Sequence, residues 1–201
     1  MNKRQLLGTL ALAGVAAMVG LPLAGCTEAK PSFHAVDITG ADYARDFSLT
    51  DADGKLRTLA DFKGKAVVLF FGFAQCPDVC PTTMTEMAQV KQQLGADGDK
   101  LQVVFVTVDP ARDTPEVMKA YMGAFDPSFV ALIPTADQLA ALAKDFKVYF
   151  KKVEGKTPTS YSMDHSAASF VYDPQGRLRL YARYGAGVAP MVADLKALLK
   201  S

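Results

Sequence analysis

A greasy run that ends in two cysteines constrains this chain more than any other stretch. "KAVVLFFGFA", residues 65–74, shows no polar alternation, and Cys76 and Cys80 follow within six residues. Such a run, with Gly64 ahead of it, predicts a strand buried on both faces. From Cys80 the period changes. Met84, Met87, Val90 and Leu94 share one helix face, Gly95 marks a stop, and Pro81 suits a first helical turn, where its missing N–H has no intrahelical partner to lose. The two thiols therefore belong where a buried strand gives way to a helix.

Patterning elsewhere repeats that alternation. "DFSLTDADGKLRTLADF" reads as an N-terminal β-hairpin turning at Asp53-Gly54. "LQVVFVTVDP" is a second buried strand. "DTPEVMKAYMGAF" is a helix with Asp113 or Thr114 as cap and Pro115 in its first turn. "FVALI" is a short strand, and "TADQLAALAKDFK" a helix capped by Thr135. "VYFKKVEG" and "SAASFVYD" read as strands separated by a polar loop, "KTPTSYSMDH". "DPQG" turns the chain into "RLRLYARYG", and "VAPMVADLKALLK" closes as a helix. Strands alternating with helices build a central sheet covered on both faces. A dithiol at a strand-to-helix junction in that layout reads as a thioredoxin-like α/β fold: an N-terminal hairpin and a mixed central sheet flanked by helices.

The first residues belong to a different program. Lys3 and Arg4 precede an uncharged apolar run from Leu6 to Ala24, which ends in small residues before Cys26. This is the plan of an export signal, although an uncut run of that length also suffices to span a bilayer. "LAGC", residues 23–26, resembles the lipobox of bacterial lipoproteins, which implies acylation at Cys26. The expected organisation is a lipoprotein signal peptide over 1–25, a lipidated N-terminus and tether over 26–44, and a thioredoxin-like domain over 45–201. Removing 1–25 takes away two cations and no acids, so a formal charge of +1 becomes −1. Neither value suggests a nucleic-acid partner. With Cys26 carrying lipid, Cys76 and Cys80 remain as a matched pair in an oxidising compartment.

Four helical positions rise about 6 Å, and disulfides bridge Cα atoms about 4.4–6.8 Å apart. The pair can thus close a disulfide or converge on one metal. The partial positive charge of a helix start favours thiolate, which serves as nucleophile and as ligand alike. A metal needs a third donor, and the chain has two histidines. His34 lies in the polar N-terminal arm and reads as a bystander. His165 precedes a late strand, and in a thioredoxin-like sheet the loop entering that strand faces the dithiol. Two soft thiolates with one imidazole suit copper, whereas structural zinc wants four protein ligands. Met84, Met87, Met118 and Met122 are spaced as helix core.

"CPDVCP" after a buried strand, "VDPARDTP" over 108–115 and "MDHS" before a strand together resemble the Sco/SenC family of copper proteins. The likeness runs from about Asp46 to the C-terminus. It implies copper, as Cu(I) and in some states Cu(II), held by Cys76, Cys80 and His165. It also implies service in assembling the binuclear copper centre of cytochrome c oxidase, with the copper-bearing oxidase subunit as partner. Other periplasmic copper chaperones or thiol reductants are further partners. Asp109 falls near the site as an outer ligand or a tuner of His165, Asp164 is placed to orient His165, and Asp113 reads as a helix cap. The expected protein is a lipid-anchored metallochaperone on the periplasmic face of a bacterial membrane, the inner membrane favoured.

The alternative is a thiol–disulfide oxidoreductase that reduces the oxidase's copper-site cysteines, with Cys76 attacking and Cys80 resolving. A peroxidase of the peroxiredoxin kind would instead use one activated cysteine with Arg112 and Thr82 or Thr83 nearby.

Overall fold

The computed structural model describes residues 32–157 and 160–200. The expected signal peptide and Cys26 therefore lie outside the described residues. Among the described residues no helix is long and apolar enough to cross a membrane.

Among the described residues, ten strands and four α-helices follow one another. β1 (Val36–Asp37) precedes the hairpin of β2 (Ser48–Thr50) and β3 (Leu56–Thr58). That hairpin turns through Asp51–Lys55, with Gly54 in the left-handed region at φ +79°. Asp51 organises the turn, accepting the N–H groups of Asp53 and Lys55 at 2.9 Å each and the Arg57 guanidinium at 2.6 Å. β4 (Ala66–Gly72) leads to α1 (Val79–Leu94), then β5 (Leu101–Thr107), α2 (Pro115–Gly123), β6 (Val130–Leu132) and α3 (Ala136–Phe146). β7 (Phe150–Glu154), β8 (Tyr161–His165), β9 (Ser169–Tyr172), β10 (Leu178–Ala182) and α4 (Val188–Leu198) complete the order.

Six strands form the central sheet in the order β1-β10-β9-β4-β5-β6. β4, β5 and β6 are parallel, and β9, β10 and β1 are added antiparallel. All seven residues of β4 and all seven of β5 are buried. Successive strand side chains point to opposite faces, so both faces of the sheet are covered there, as the unbroken apolar runs require. Burying one large side chain such as Phe70 or Phe71 stabilises by about 1.5–3 kcal/mol. Met84, Met87, Met118 and Met122 join this core.

The caps follow local chemistry. Thr114 accepts the Val117 N–H at 3.4 Å and Pro115 begins α2. Thr135 and Gln138 exchange side-chain to backbone bonds in a capping box that starts α3.

Two segments differ from expectation. Within 26–44, the described part is laid onto the domain. β1 pairs with β10, Asp194 accepts the N–H groups of His34 and Ala35 at 2.8 Å each, and Ala44 is fully buried. The polar loop expected over 156–165 ends in a strand, because Tyr161, Met163 and His165 turn inward between exposed Ser162 and Asp164. β7 and β8 form a separate two-stranded ribbon, with Phe150 opposite His165 and Glu154 opposite Tyr161.

Candidate metal centre

β4 and β5 run in parallel register, Gly72 beside Thr107, so the loops that follow them leave the same sheet edge. Ligands commonly gather at such carboxyl ends of parallel strands. The loop after β4 carries Cys76, and α1 begins at Val79, one residue earlier than the cysteine pattern suggested. Pro81 is still in the first turn. Asp113 ties the two loops together. Its Oδ2 accepts the Thr107 hydroxyl at 2.5 Å and the Ala74 N–H at 3.1 Å, and the side chain is buried. Asp113 is therefore not the helix cap expected of it. Thr114 takes that role, which frees the carboxyl to brace the cysteine loop.

The two thiols and one imidazole converge. The sulfurs of Cys76 and Cys80 and a ring nitrogen of His165 all lie within 4.8 Å of one another. Both thiols are free. Cys76 is half-buried and Cys80 fully buried. The Cys80 N–H, one of the unpaired donors of the helix start, points at the Cys76 sulfur at 3.4 Å. Cys80 Sγ lies 3.4 Å from His165 Nε2. Burial pushes the Cys80 thiol strongly up, over the opposing effect of the Phe73 backbone. Without metal the Cys80 S–H thus stays protonated and donates to the imidazole.

The imidazole is set for that role. His165 Nδ1 lies 3.0 Å from the Ser166 carbonyl. A carbonyl only accepts, so the proton sits on Nδ1 and the lone pair of Nε2 faces the sulfurs. The rings of Phe70 and Phe73 meet the imidazole edge-on, each at 5.9 Å between centroids. Burial lowers the His165 pKa below its ordinary 6.5, outweighing the Ser166 carbonyl and the Asp164 charge. A neutral imidazole is what a soft metal ion needs.

Space beneath Cys80 is just sufficient. A Cβ on Gly72 would lie 2.8 Å from Cys80 Sγ and 2.7 Å from the Phe105 ring. On the outer side, a cleft of about 310 Å³ lined by Phe73, Cys76, Val79, Tyr149, Met163 and His165 opens the site to solvent. A larger cleft, about 370 Å³, lies between the hairpin and α2. Its charges are paired with one another, Asp51 with Arg57 and Asp53 with Lys119, and it holds no thiol or imidazole.

The remaining sequence candidates fall elsewhere. Asp109 is buried, and its oxygens go to the Arg112 guanidinium and to the Tyr161 hydroxyl at 2.9 Å. It joins neither the donor set nor His165 directly. Asp164 lies on the outer face of β8, and the Ser166 carbonyl holds the ring nitrogen instead. His34 is exposed, and only its backbone is tied. Thr82 donates to Asp78 and Thr83 to the Val79 carbonyl, while Arg112 serves Asp109, Gln75 and Tyr161. The threonine and arginine of a peroxidase site are thus committed away from sulfur.

Residues 36–200 match the family model described as SCO1/SenC. The chain belongs to the SCO1/SenC family. Among its relatives, Protein SCO2, mitochondrial, of Saccharomyces cerevisiae is 40% identical over 133 residues, 65% of this chain and 44% of the relative. The chain thus spans about half the length of such curated relatives. The structure of Bradyrhizobium japonicum ScoI with copper bound is 39% identical, with a TM-score of 0.69, covering 76% of this chain and 97% of that one. Apo Sco1 from Thermus thermophilus is 37% identical with a TM-score of 0.74, covering 85% and 99%. The thioredoxin-like fold of these Sco proteins is the fold found here. Sequence reasoning missed Gly72, the Ser166 carbonyl and the loop brace of Asp113. A glycine between two phenylalanines in a buried strand was the available signal for the first.

Proposed function

We propose that this SCO1/SenC protein binds copper through Cys76, Cys80 and His165 and passes it to the binuclear copper site of cytochrome c oxidase. The observation that carries this is the convergence of two sulfurs and one imidazole nitrogen within 4.8 Å. Two thiolates and an imidazole are a soft donor set suited to Cu(I). The copper-bound ScoI structure, 39% identical, supports the choice of metal.

The chemistry of transfer follows from exposure. Copper binding displaces the Cys80 proton, since the metal takes the thiolate. Cys76 and His165 border the open cleft, so a partner's thiolate can enter there and exchange ligands one at a time. No free ion need form. The copper-bearing oxidase subunit is the intended acceptor, and a lipid on Cys26 would hold the domain at the periplasmic face of the inner membrane.

Anaerobic titration of the reduced protein with Cu(I) against a competing chelator tests the site. The parent should bind one copper tightly, and Cys76→Ala, Cys80→Ala and His165→Ala should each bind more weakly. Parent-like binding by any of the three removes that residue from the set.

One relationship favours a second reading, thiol–disulfide reduction of the acceptor. A helix N–H is aimed at half-exposed Cys76, while Cys80 waits buried behind it. The Cys76 thiolate would attack a partner disulfide, expelling one partner thiolate. Cys80, losing its proton, would then break the mixed disulfide, leaving Cys76–Cys80 oxidised and the partner carrying two thiols. His165→Ala should abolish copper loading and spare the first step, formation of the mixed disulfide at Cys76.

A further inference from the structure

The ribbon that carries His165 is not hydrogen-bonded into the six-stranded sheet. A two-stranded ribbon is marginal on its own in water. Yet its last residue must meet two sulfurs delivered by a different loop and the first turn of the helix that follows it. Something has to fix the ribbon's position relative to that loop.

Arg112 occupies the place where such a fastening would act. Its Nη1 donates to the Tyr161 carbonyl at 2.9 Å and to Gln75 Oε1 at 3.0 Å. Tyr161 begins the strand that ends in His165, and Gln75 immediately precedes Cys76. The guanidinium carbon lies 3.5 Å from the Tyr161 ring centroid, and the Tyr161 hydroxyl donates to Asp109, which also pairs with Arg112. Arg112 also stands 5.9 Å from the Phe73 ring, itself edge-on to His165. Tyr161, Met163 and His165 share the inward face of β8. One planar cation thus touches both arms of the donor set.

We propose that Arg112 is the positioning residue of the site: its guanidinium pins the strand that ends in His165 to the segment that leads into Cys76. The inference rests on the donor set given under Proposed function. Charge alone does not suffice for this role. Lysine offers a single point of donation and no plane to stack on Tyr161.

The test uses the full chain, reduced, with Cu(I) affinity read by chelator competition for the parent, R112Q, R112K, H165A and R112Q/H165A. Loss of an outer support typically lowers metal affinity about 10–100-fold, and R112Q and R112K should both fall in that range. Because Arg112 acts through His165, R112Q/H165A should bind no more weakly than H165A. Amide hydrogen exchange of the metal-free protein adds an independent reading. In R112Q it should quicken in β7 and β8 and keep parent rates in β4 and β5. Parent-like affinity of R112Q, full additivity in the double variant, or faster exchange spread through the central sheet each overturns the proposal. Equal binding by parent and H165A overturns the donor set and this inference with it. A gap between those two, with R112Q like the parent, overturns this inference alone. If R112Q does not fold, R112K and Gln75→Ala, which removes the acceptor on the cysteine side, are carried through the same measurements, and parent-like affinity in both overturns the proposal.

Discussion

Gly72 and Cys80 are in contact so close that no side chain fits between them: a Cβ on Gly72 would stand 2.8 Å from the cysteine sulfur. The same Cβ would meet the Phe105 ring at 2.7 Å and the Phe70 ring at 2.8 Å. Gly72→Ala therefore overpacks a core with no slack. Such changes cost about 1–3 kcal/mol. Thermal melting should show the loss, and Cu(I) competition should show weakened binding, because relief requires moving Sγ. Parent-like values in both would mean the sulfur is not held here.

The two thiols should react unequally. Cys76 is half-buried and Cys80 fully buried with its thiol pushed up by desolvation. Brief alkylation of the reduced, metal-free protein at neutral pH, read by peptide mass spectrometry, should label Cys76 first, by roughly tenfold or more. Cys80 should follow only on unfolding. Equal labelling of the folded protein would contradict the assignment of roles.

Asp113 gives stability a pH dependence opposite to that of a paired carboxylate. Burial pushes its carboxyl above the ordinary 3.8, over the opposing bonds from Thr107 and Ala74, and its Oδ1 has no partner. The folded state then holds the proton more tightly than the unfolded chain. Its contribution is greatest below pH 3.8 and falls as pH rises through the raised folded value. Asp113→Asn still offers an acceptor to Thr107 and Ala74 and cannot ionise. Denaturant titrations across that window should show a flatter profile for the variant, with stability at pH 7 no lower than the parent's. A clear loss at pH 7 would show that the charge itself is needed.

Copper should stabilise the fold through the site. A ligand at 100 times its Kd that binds only the native state adds about 2.7 kcal/mol, a rise in Tm of about 5–10 °C for a domain of this size. Melting of the reduced parent with and without buffered Cu(I) should show the rise, and Cys80→Ser should not. An equal rise in both would place the metal elsewhere.

The strand-to-helix junction was legible in the sequence because it leaves a local mark, and the meeting of Cys76, Cys80 and His165 followed from placing that junction in a thioredoxin-like sheet. Unbroken apolar runs announced β4 and β5, and the change of period announced α1. What stayed hidden depends on tertiary contacts. Asp113 sits one residue before a helix, as a cap would, and only the neighbouring loop shows that it braces Ala74. The support of His165 comes from a main-chain carbonyl at Ser166, and backbone carries no sequence signature. β8 was obscured by its polar residues, although the alternation Tyr161, Ser162, Met163, Asp164, His165 has the period of a half-buried strand.

In the proposed donor set, the third donor sits on a two-stranded ribbon outside the six-stranded sheet. The sulfurs ride on the loop and helix that leave the six-stranded sheet, while the imidazole rides on two strands paired only with each other. A recipient taking copper in the proposed role can displace the imidazole by moving that ribbon without breaking the pairing of β4 with β5. In the proposed copper role, unloading is thereby mechanically separated from melting of the central sheet, and a stable scaffold need not hold its passenger for good.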